Sequence, residues 1–348
     1  DAFQGSGLPA QVTEAVSCSF CHSMVQTSTS VHTDPALSGN AAAAAEYFLY
    51  PGEGIQFGPI ADPESNSYHE SVYSPIYNDS EVCLPCHNHI IRNKLIETTF
   101  SEWNSNSFVA MTGEPSCQSC HMQEYLGSAA VGSKERTLHN HSFAGVNIDL
   151  SSPIDEGSQW YKDTSELLKT ALVIEYVSSD TLFTSLNADS LNFLVSINST
   201  TAHNIPTGNA FVREAWLELV VICDQDTILV SGLVDSNTSD LDLDDDNLVL
   251  FTSQLLDIDG NITDSASDAY DFVSTQLTTY GSVQKNYKIP TDLIDIGSTV
   301  SVSARMLFRP YKPALLAEKH SNLLSNLPVF EMFSITETYT AGLVNSGM

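Results

Sequence analysis

The chain has 348 residues, 42% of them apolar, which is enough to bury a core and long enough for about two domains. Its charge is lopsided: 43 acidic residues face 13 basic ones, a formal net charge of −30. No cationic surface is left to displace counterions from phosphates, so nucleic acid is excluded as a partner, and docking on an anionic membrane surface is opposed in the same way. The acids are spread along the chain, 16 against 4 bases in residues 1–150 and 27 against 9 in residues 151–348, which reads as a self-repelling surface.

No run approaches the ~18 apolar residues of a membrane span, so no span is expected; the densest, Leu217 to Cys223, suits a strand. The chain opens on Asp1, which fits a mature exported protein whose signal has been removed.

Residues 1–150 carry every one of the cysteine motifs described next and show few clean periodic elements. Small and turn residues abound, and the Ala41–Ala45 run opens a short helix at most. What recurs instead is cysteine. Six of the seven cysteines fall into three identical frames, Cys18-Ser-Phe-Cys21-His22, Cys83-Leu-Pro-Cys86-His87 and Cys117-Gln-Ser-Cys120-His121. Each is the c-type haem attachment pattern. Two thiols must reach the two vinyl groups on one edge of a porphyrin, and the next residue must coordinate the iron. A redox dithiol, a zinc half-site or a disulfide needs no histidine after the second cysteine. With 10 histidines in 348 residues, three such placements by chance have odds of roughly 2 in 100,000. Three covalent haems are therefore expected, with His22, His87 and His121 as proximal ligands. Haem c is attached outside the cytoplasm, in agreement with export. Cys223 lies in an apolar run and reads as a buried thiol.

Seven further histidines, His32, His69, His89, His139, His141, His203 and His320, exceed the three needed for bis-histidine coordination. Methionine is the alternative ligand, although Met122 adjoins a proximal ligand and cannot reach the opposite face. The pairs His87/His89 and His139/His141 are two residues apart and share a face in an extended segment. His203 sits in a turn-like His203-Asn-Ile-Pro206-Thr207-Gly208.

Trp160 to Leu168 reads as a short helix or linker. From about residue 170 the period becomes two: Leu191, Phe193, Val195 and Ile197 alternate with Asn192, Leu194, Ser196 and Asn198, and Val300 to Phe308 does the same. Further strands are expected at 168–177, 212–223, 228–233, 248–256 and 332–339. The expected fold is an N-terminal haem-organised region, mostly irregular with short helices, over residues 1–160, followed by a C-terminal all-β domain over residues 161–348. The latter is expected to be an immunoglobulin-like antiparallel sandwich that supplies at least one distal haem ligand. Acidic clusters at Asp240–Asp246 and around Asp257, Asp259 and Asp264 offer oxygen-rich loops for Ca²⁺, although neither matches a full EF-hand loop and solvated hairpin loops are the competing reading.

The chain resembles the secreted multihaem c-type cytochromes of metal-reducing bacteria and related archaea, some of which polymerise into extracellular filaments, the cytochrome nanowires. The resemblance runs over about residues 15 to 315. It rests on Gly58-Pro59, Tyr68-His69, Tyr73-Ser74 and Ser80-Glu81 before the second haem motif, and on His141-Ser-Phe143-Ala-Gly145. It continues in His203 with Pro206-Thr207-Gly208, in Arg213 and Trp216, and in Lys288-Ile-Pro290 and Leu307-Phe308-Arg309. It implies that His69, His141 and His203 are distal ligands, with His139 as an alternative to His141. His89, His320 and His32 are left as lesser candidates, including for a ligand donated to a neighbouring subunit.

Electron transfer through three bis-histidine haems is the expected function. The implied setting is extracellular or at the cell surface, as a head-to-tail polymer of the chain that meets redox proteins or extracellular acceptors. A discrete periplasmic or surface carrier is the alternative. A reductase of small oxyanions needs an open iron, and a partner-binding sandwich with haems as reporters is the remaining reading.

Overall fold

The computed structural model describes residues 17–28, 46–50, 54–64, 67–91, 94–178, 183, 189–235 and 240–342; His32 and the Ala41–Ala45 run lie outside the described residues. The chain divides into two compact units, residues 1–95 with 112–141 and residues 96–111 with 142–348. Residues 142–160, and the excursion 96–111, thus group with the sheets and not with the cysteine motifs.

The first elements are short. They are helix α1 (Cys18–His22), strands β1 (Met24–Ser28), β2 (Glu46–Leu49), β3 (Ile55–Gly58) and β4 (Glu70–Tyr73), two 3₁₀ turns (Pro75–Asn78 and Ser80–Val82), and strands β5 (His89–Ile91) and β6 (Lys94–Glu97). Helices α2 (Thr99–Ser105), α3 (Ser107–Thr112) and α4 (Cys117–His121) follow, then strands β7 (Glu124–Ser128) and β8 (Glu135–His139).

Within the first unit the strands pair as ribbons: β1 with β2, β3 with β4 in parallel, and β7 with β8. Among the described residues of this unit the buried aliphatic side chains are Met24 and Leu84, whereas Ser23, Ser74, Ser80, Asn88 and Gln118 are buried polar ones. Two-stranded ribbons are marginal alone.

The second unit is the opposite case. Helix α5 (Gln159–Lys169) is started by Ser158, whose hydroxyl accepts from the Tyr161 amide at 3.2 Å. Strands β9 (Leu172–Tyr176), β10 (Ser190–Ser199), β11 (Glu214–Cys223), β12 (Asp226–Ser231), β13 (Val249–Phe251), β14 (Ser253–Leu256), β15 (Ile262–Thr263), β16 (Asp271–Ser274), β17 (Ser282–Pro290) and β18 (Thr299–Arg309) follow, then α6 (Pro313–His320) and β19 (Phe330–Thr340).

One sheet has the order β17-β10-β9; a second has β12-β11-β18-β19, with β13 sharing an edge of β11; a third, small sheet is β15-β14-β16. All pairings in the two larger sheets are antiparallel. Their inner faces meet in one core. Leu191, Phe193, Val195 and Ile197 of β10 pack there with Leu217, Leu219 and Val221 of β11 and with Val300, Val302, Ala304, Met306 and Phe308 of β18. Each large side chain so buried contributes about 1.5–3 kcal/mol.

The alternation read from the sequence is the alternation of burial over Ser190–Val195 of β10 and Thr299–Met306 of β18; beyond these Ser196, Leu307 and Arg309 of the other face are buried as well. In β11 it is masked, because the outer face is buried too: Trp216 is covered by Leu241 with Val234, Leu248 and Leu250. Arg309 lies 5.0 Å over the Trp216 ring and pairs with Glu214, its Nε 2.6 Å from Oε2.

Four expected strands differ; the one expected at 228–233 is β12, Asp226–Ser231. The 168–177 strand begins only at Leu172, because α5 runs on to Lys169. The 212–223 strand starts at Glu214, after a 3₁₀ turn over Ala210–Val212. The 248–256 strand is two, β13 and β14, which belong to different sheets. Thr252 makes the break by donating its buried hydroxyl to the Arg213 carbonyl at 2.7 Å.

Candidate functional site

All three cysteine motifs lie in the first unit, and each is wound as a single helical turn. Ser17 caps α1 by accepting from the Phe20 amide, and Ser116 caps α4 by accepting from the Ser119 amide at 3.2 Å. The middle motif closes its turn with the His87 amide on the Cys83 carbonyl at 3.0 Å. A helical turn sets residues i, i+3 and i+4 on one face, so in every motif two thiols and the following imidazole share a side.

The motifs are tied together. The Cys117 amide donates to Ser80 Oγ at 3.0 Å, and Gln118 Nε2 donates to the carbonyls of Asp79 (2.9 Å) and Tyr77 (3.3 Å). The Cys83 and Cys117 thiols, from different motifs, are hydrogen-bonded to each other. That bond, followed by burial, pushes Cys83 well above the ordinary thiol range, and it pulls Cys117 down. Burial, then the neighbouring Cys86 and Cys18, also raises Cys21. Thiols of all three motifs thus gather in one region of the unit.

His22 is held hardest. Its Nδ1–H donates to the Phe57 carbonyl of β3 at 2.6 Å. A carbonyl only accepts, so the proton sits on Nδ1 and the lone pair on Nε2. Its ring stacks on Tyr77 with centroids 5.5 Å apart and planes 5° apart. On this same ring the structure brings His141, 6.1 Å away and tilted by 41°. Burial first, and then the nearby His22, hold His141 below the usual imidazole range, so it is neutral at physiological pH. His139 is directed elsewhere: its Nδ1–H donates to the Met122 carbonyl at 2.7 Å, and its Nε2 lies 3.8 Å from a Glu124 carboxylate oxygen.

The remaining histidines are more scattered. His69 has its Nδ1 at 3.4 Å from both the Glu70 carbonyl and the Ser71 hydroxyl. His87 is exposed and His121 half-buried at the end of α4. His89 begins β5, and His320 ends α6 as an exposed residue of the second unit.

His203 stands in the second unit, on a loop whose backbone is fastened at nearly every residue. Its Nδ1–H donates to the Asn204 carbonyl at 3.0 Å, and its carbonyl accepts from Thr201 Oγ1 at 2.6 Å. Glu102 of α2, 8% exposed, accepts from the Asn204 amide (3.1 Å), Thr207 Oγ1 (2.5 Å), Thr98 Oγ1 (2.6 Å) and Gln276 Nε2 (3.4 Å). Gln276 also donates to the Pro206 carbonyl, Ile205 and Leu277 exchange both backbone bonds, and buried Arg213 donates to the Thr207 carbonyl and to Asn147. Gly208 has φ +73°, and a Cβ there would lie 2.7 Å from Arg213 Nη1, so only glycine fits. Nothing in the sequence marked Glu102, Tyr77 or the Phe57 carbonyl. Each acts on a residue far off in the chain and carries no motif.

The acidic loops turn inward on themselves. Asp245 accepts from Ser231 Oγ, Gly232 N and Asn247 N, and Asp257 accepts from Asp259 N and Asn261 N. Among the described residues no three His, Cys, Asp or Glu side chains converge to hold an ion, so the Ca²⁺ expectation gains no support. No helix among the described residues is long and apolar enough to cross a membrane.

No protein-family model matches the chain, and no curated protein matches it. Among solved structures, a penta-haem cytochrome c552 from Thermochromatium tepidum superposes with a TM-score of 0.64 at 17% identity, covering 95% of this chain and 79% of its own. The chain therefore shares its fold with a multihaem c-type cytochrome.

Proposed function

We propose that the chain is an electron-transfer protein holding three c-type haems, one on each Cys-x-x-Cys-His turn, and that His22 and His141 are the two axial ligands of the first. The observation that carries this reading is the 6.1 Å between their rings. A metal–imidazole bond of about 2.0 Å puts the ring centroid about 3.1 Å from the ion, so two imidazoles on opposite sides of one iron stand about 6.2 Å apart. The Nδ1–H bond to Phe57 is the kind of outer contact that orients a metal-bound imidazole and makes it a better donor. Among the described residues of the first unit Met24 and Leu84 are the buried large aliphatic side chains, and porphyrins would add apolar surface to that core.

Haem c, when bound, supplies a one-electron iron couple. The protein's part is to tether it through Cys18, Cys21, Cys83, Cys86, Cys117 and Cys120, to ligate it through His22, His87 and His121 and a second imidazole on each, and to exclude water. His69 and His203 are the proposed distal ligands of the other two, on the strength of their sequence settings. With two imidazoles on every iron no position is open to substrate, which favours electron transfer over catalysis.

A pyridine haemochrome assay should give three haems per chain, with an all-low-spin ferric spectrum and no Soret shift under carbon monoxide. Fewer than three refutes the reading; carbon monoxide binding to the native protein turns it toward a reductase. We further propose an exported setting and a head-to-tail polymer, supported by the resemblance to filament-forming cytochromes and by ten histidines where three irons need six. Electron microscopy of the purified protein tests this: filaments are expected, and monomers alone would leave a discrete carrier.

A further inference from the structure

We propose that Tyr77 is the positioning residue that sets the plane of the His22 imidazole, and with it the angle between the His22 and His141 planes. The inference rests on the reading of these two histidines as ligands of one iron.

Tyr77 sits on the 3₁₀ turn Pro75–Asn78, where Pro75 presets the first backbone angle. Its ring lies nearly parallel to the His22 ring, 5.5 Å away with 5° between planes, an offset stack. Its one hydroxyl proton is shared between the Cys21 carbonyl at 2.6 Å and the Met24 carbonyl at 2.8 Å, on either side of His22 in the chain.

The backbone carbonyl of Tyr77 in turn accepts from Gln118 of the third motif. One tyrosine is thus bonded to the backbone of the first motif, stacked on its ligand and anchored to the third. Turning the His22 ring about its Cβ–Cγ bond would break the Phe57 hydrogen bond and the Tyr77 stack together. The His22 side of the 41° between the His22 and His141 planes is therefore held. In a low-spin ferric haem the relative orientation of two axial imidazoles splits the iron orbitals and fixes the largest g-value, an outer-contact effect on the metal that simple packing does not predict.

The test uses the full haem-loaded chain with Tyr77→Leu and Tyr77→Phe. In Tyr77→Leu the low-spin electron paramagnetic resonance signal integrating to one haem of three should move its largest g-value, with a shift in that haem's midpoint potential, while the other two stay. In Tyr77→Phe the stack survives and the hydrogen bonds do not, so the same signal should keep its position and broaden. Three-haem variants whose spectra superpose on the wild type overturn the role of Tyr77. Should the Leu variant fail to load, an unbroadened Phe spectrum overturns it alone. Fewer than three haems in the wild type would overturn the haem reading itself.

Discussion

Removing the Glu102 carboxylate should loosen the His203 loop and destabilise the second unit by an amount that can be worked from its contacts. The side chain is 8% exposed and accepts four hydrogen bonds. In Glu102→Ala, Thr207 keeps its contact with Thr99 at 2.9 Å and Gln276 keeps the Pro206 carbonyl at 2.6 Å, so those losses are partial. The Asn204 amide and the Thr98 hydroxyl lose the carboxylate outright. Bonds to a charged acceptor are worth about 1.5–3 kcal/mol each and an orphaned buried donor costs about 1–3, so the total is about 3–5 kcal/mol. At about 2–4 °C per kcal/mol for a unit of this size, Tm should fall by about 6–20 °C. Glu102→Gln keeps the shape and one acceptor oxygen but turns an amide toward the Gln276 amide, for a loss of about 1 kcal/mol. Scanning calorimetry of wild type and both variants is the assay. A Glu102→Ala chain within about 1 kcal/mol of wild type, or a Gln variant as unstable as the Ala one, would refute the reasoning.

His141→Ala should turn one third of the haem high-spin and open it to carbon monoxide, whereas His139→Ala should leave the spectrum low-spin; the reverse result would exchange their roles. His203→Ala should likewise convert one third, read by the same Soret shift. Tyr77 has a folded pKa raised from about 10 to about 12, so its contribution is complete below pH 10 and is lost as pH rises through 12. The Tm gap between wild type and Tyr77→Phe should therefore narrow between about pH 10 and pH 12, and a constant gap would contradict the assignment. Phe193, fully buried against Tyr176, Phe183 and Tyr339, should cost about 3–5 kcal/mol as Phe193→Ala, seen as a lower denaturant midpoint with the haem count unchanged.

How much was legible differs by element. The bounds of strands β10 and β18 could be read almost to the residue, because over most of each one face meets the core and the other meets polar surroundings, and a period of two records that directly; Ser196 of β10 and the end of β18, where Leu307 and Arg309 are buried beside Trp216, depart from it. Strand β11 was blurred because its second face is buried under Leu241, a residue about 25 positions away that no local pattern announces. The break at Thr252 escaped for the same reason: its cause is the Arg213 carbonyl, 39 residues back. The six haem-motif cysteines were plain because the chemistry imposes its spacing on consecutive residues.

Attachment motifs are local, so the sequence by itself determined where the three Cys-x-x-Cys-His frames stand, which histidine follows each, and that strands of period two lie beyond them. Which imidazole faces which is not local. Only the tertiary structure decided that His141 and not His139 stands 6.1 Å from His22, and that Tyr77 and Phe57 hold that ring, because a contact between residues 119 positions apart depends on how the intervening turns are tied to one another.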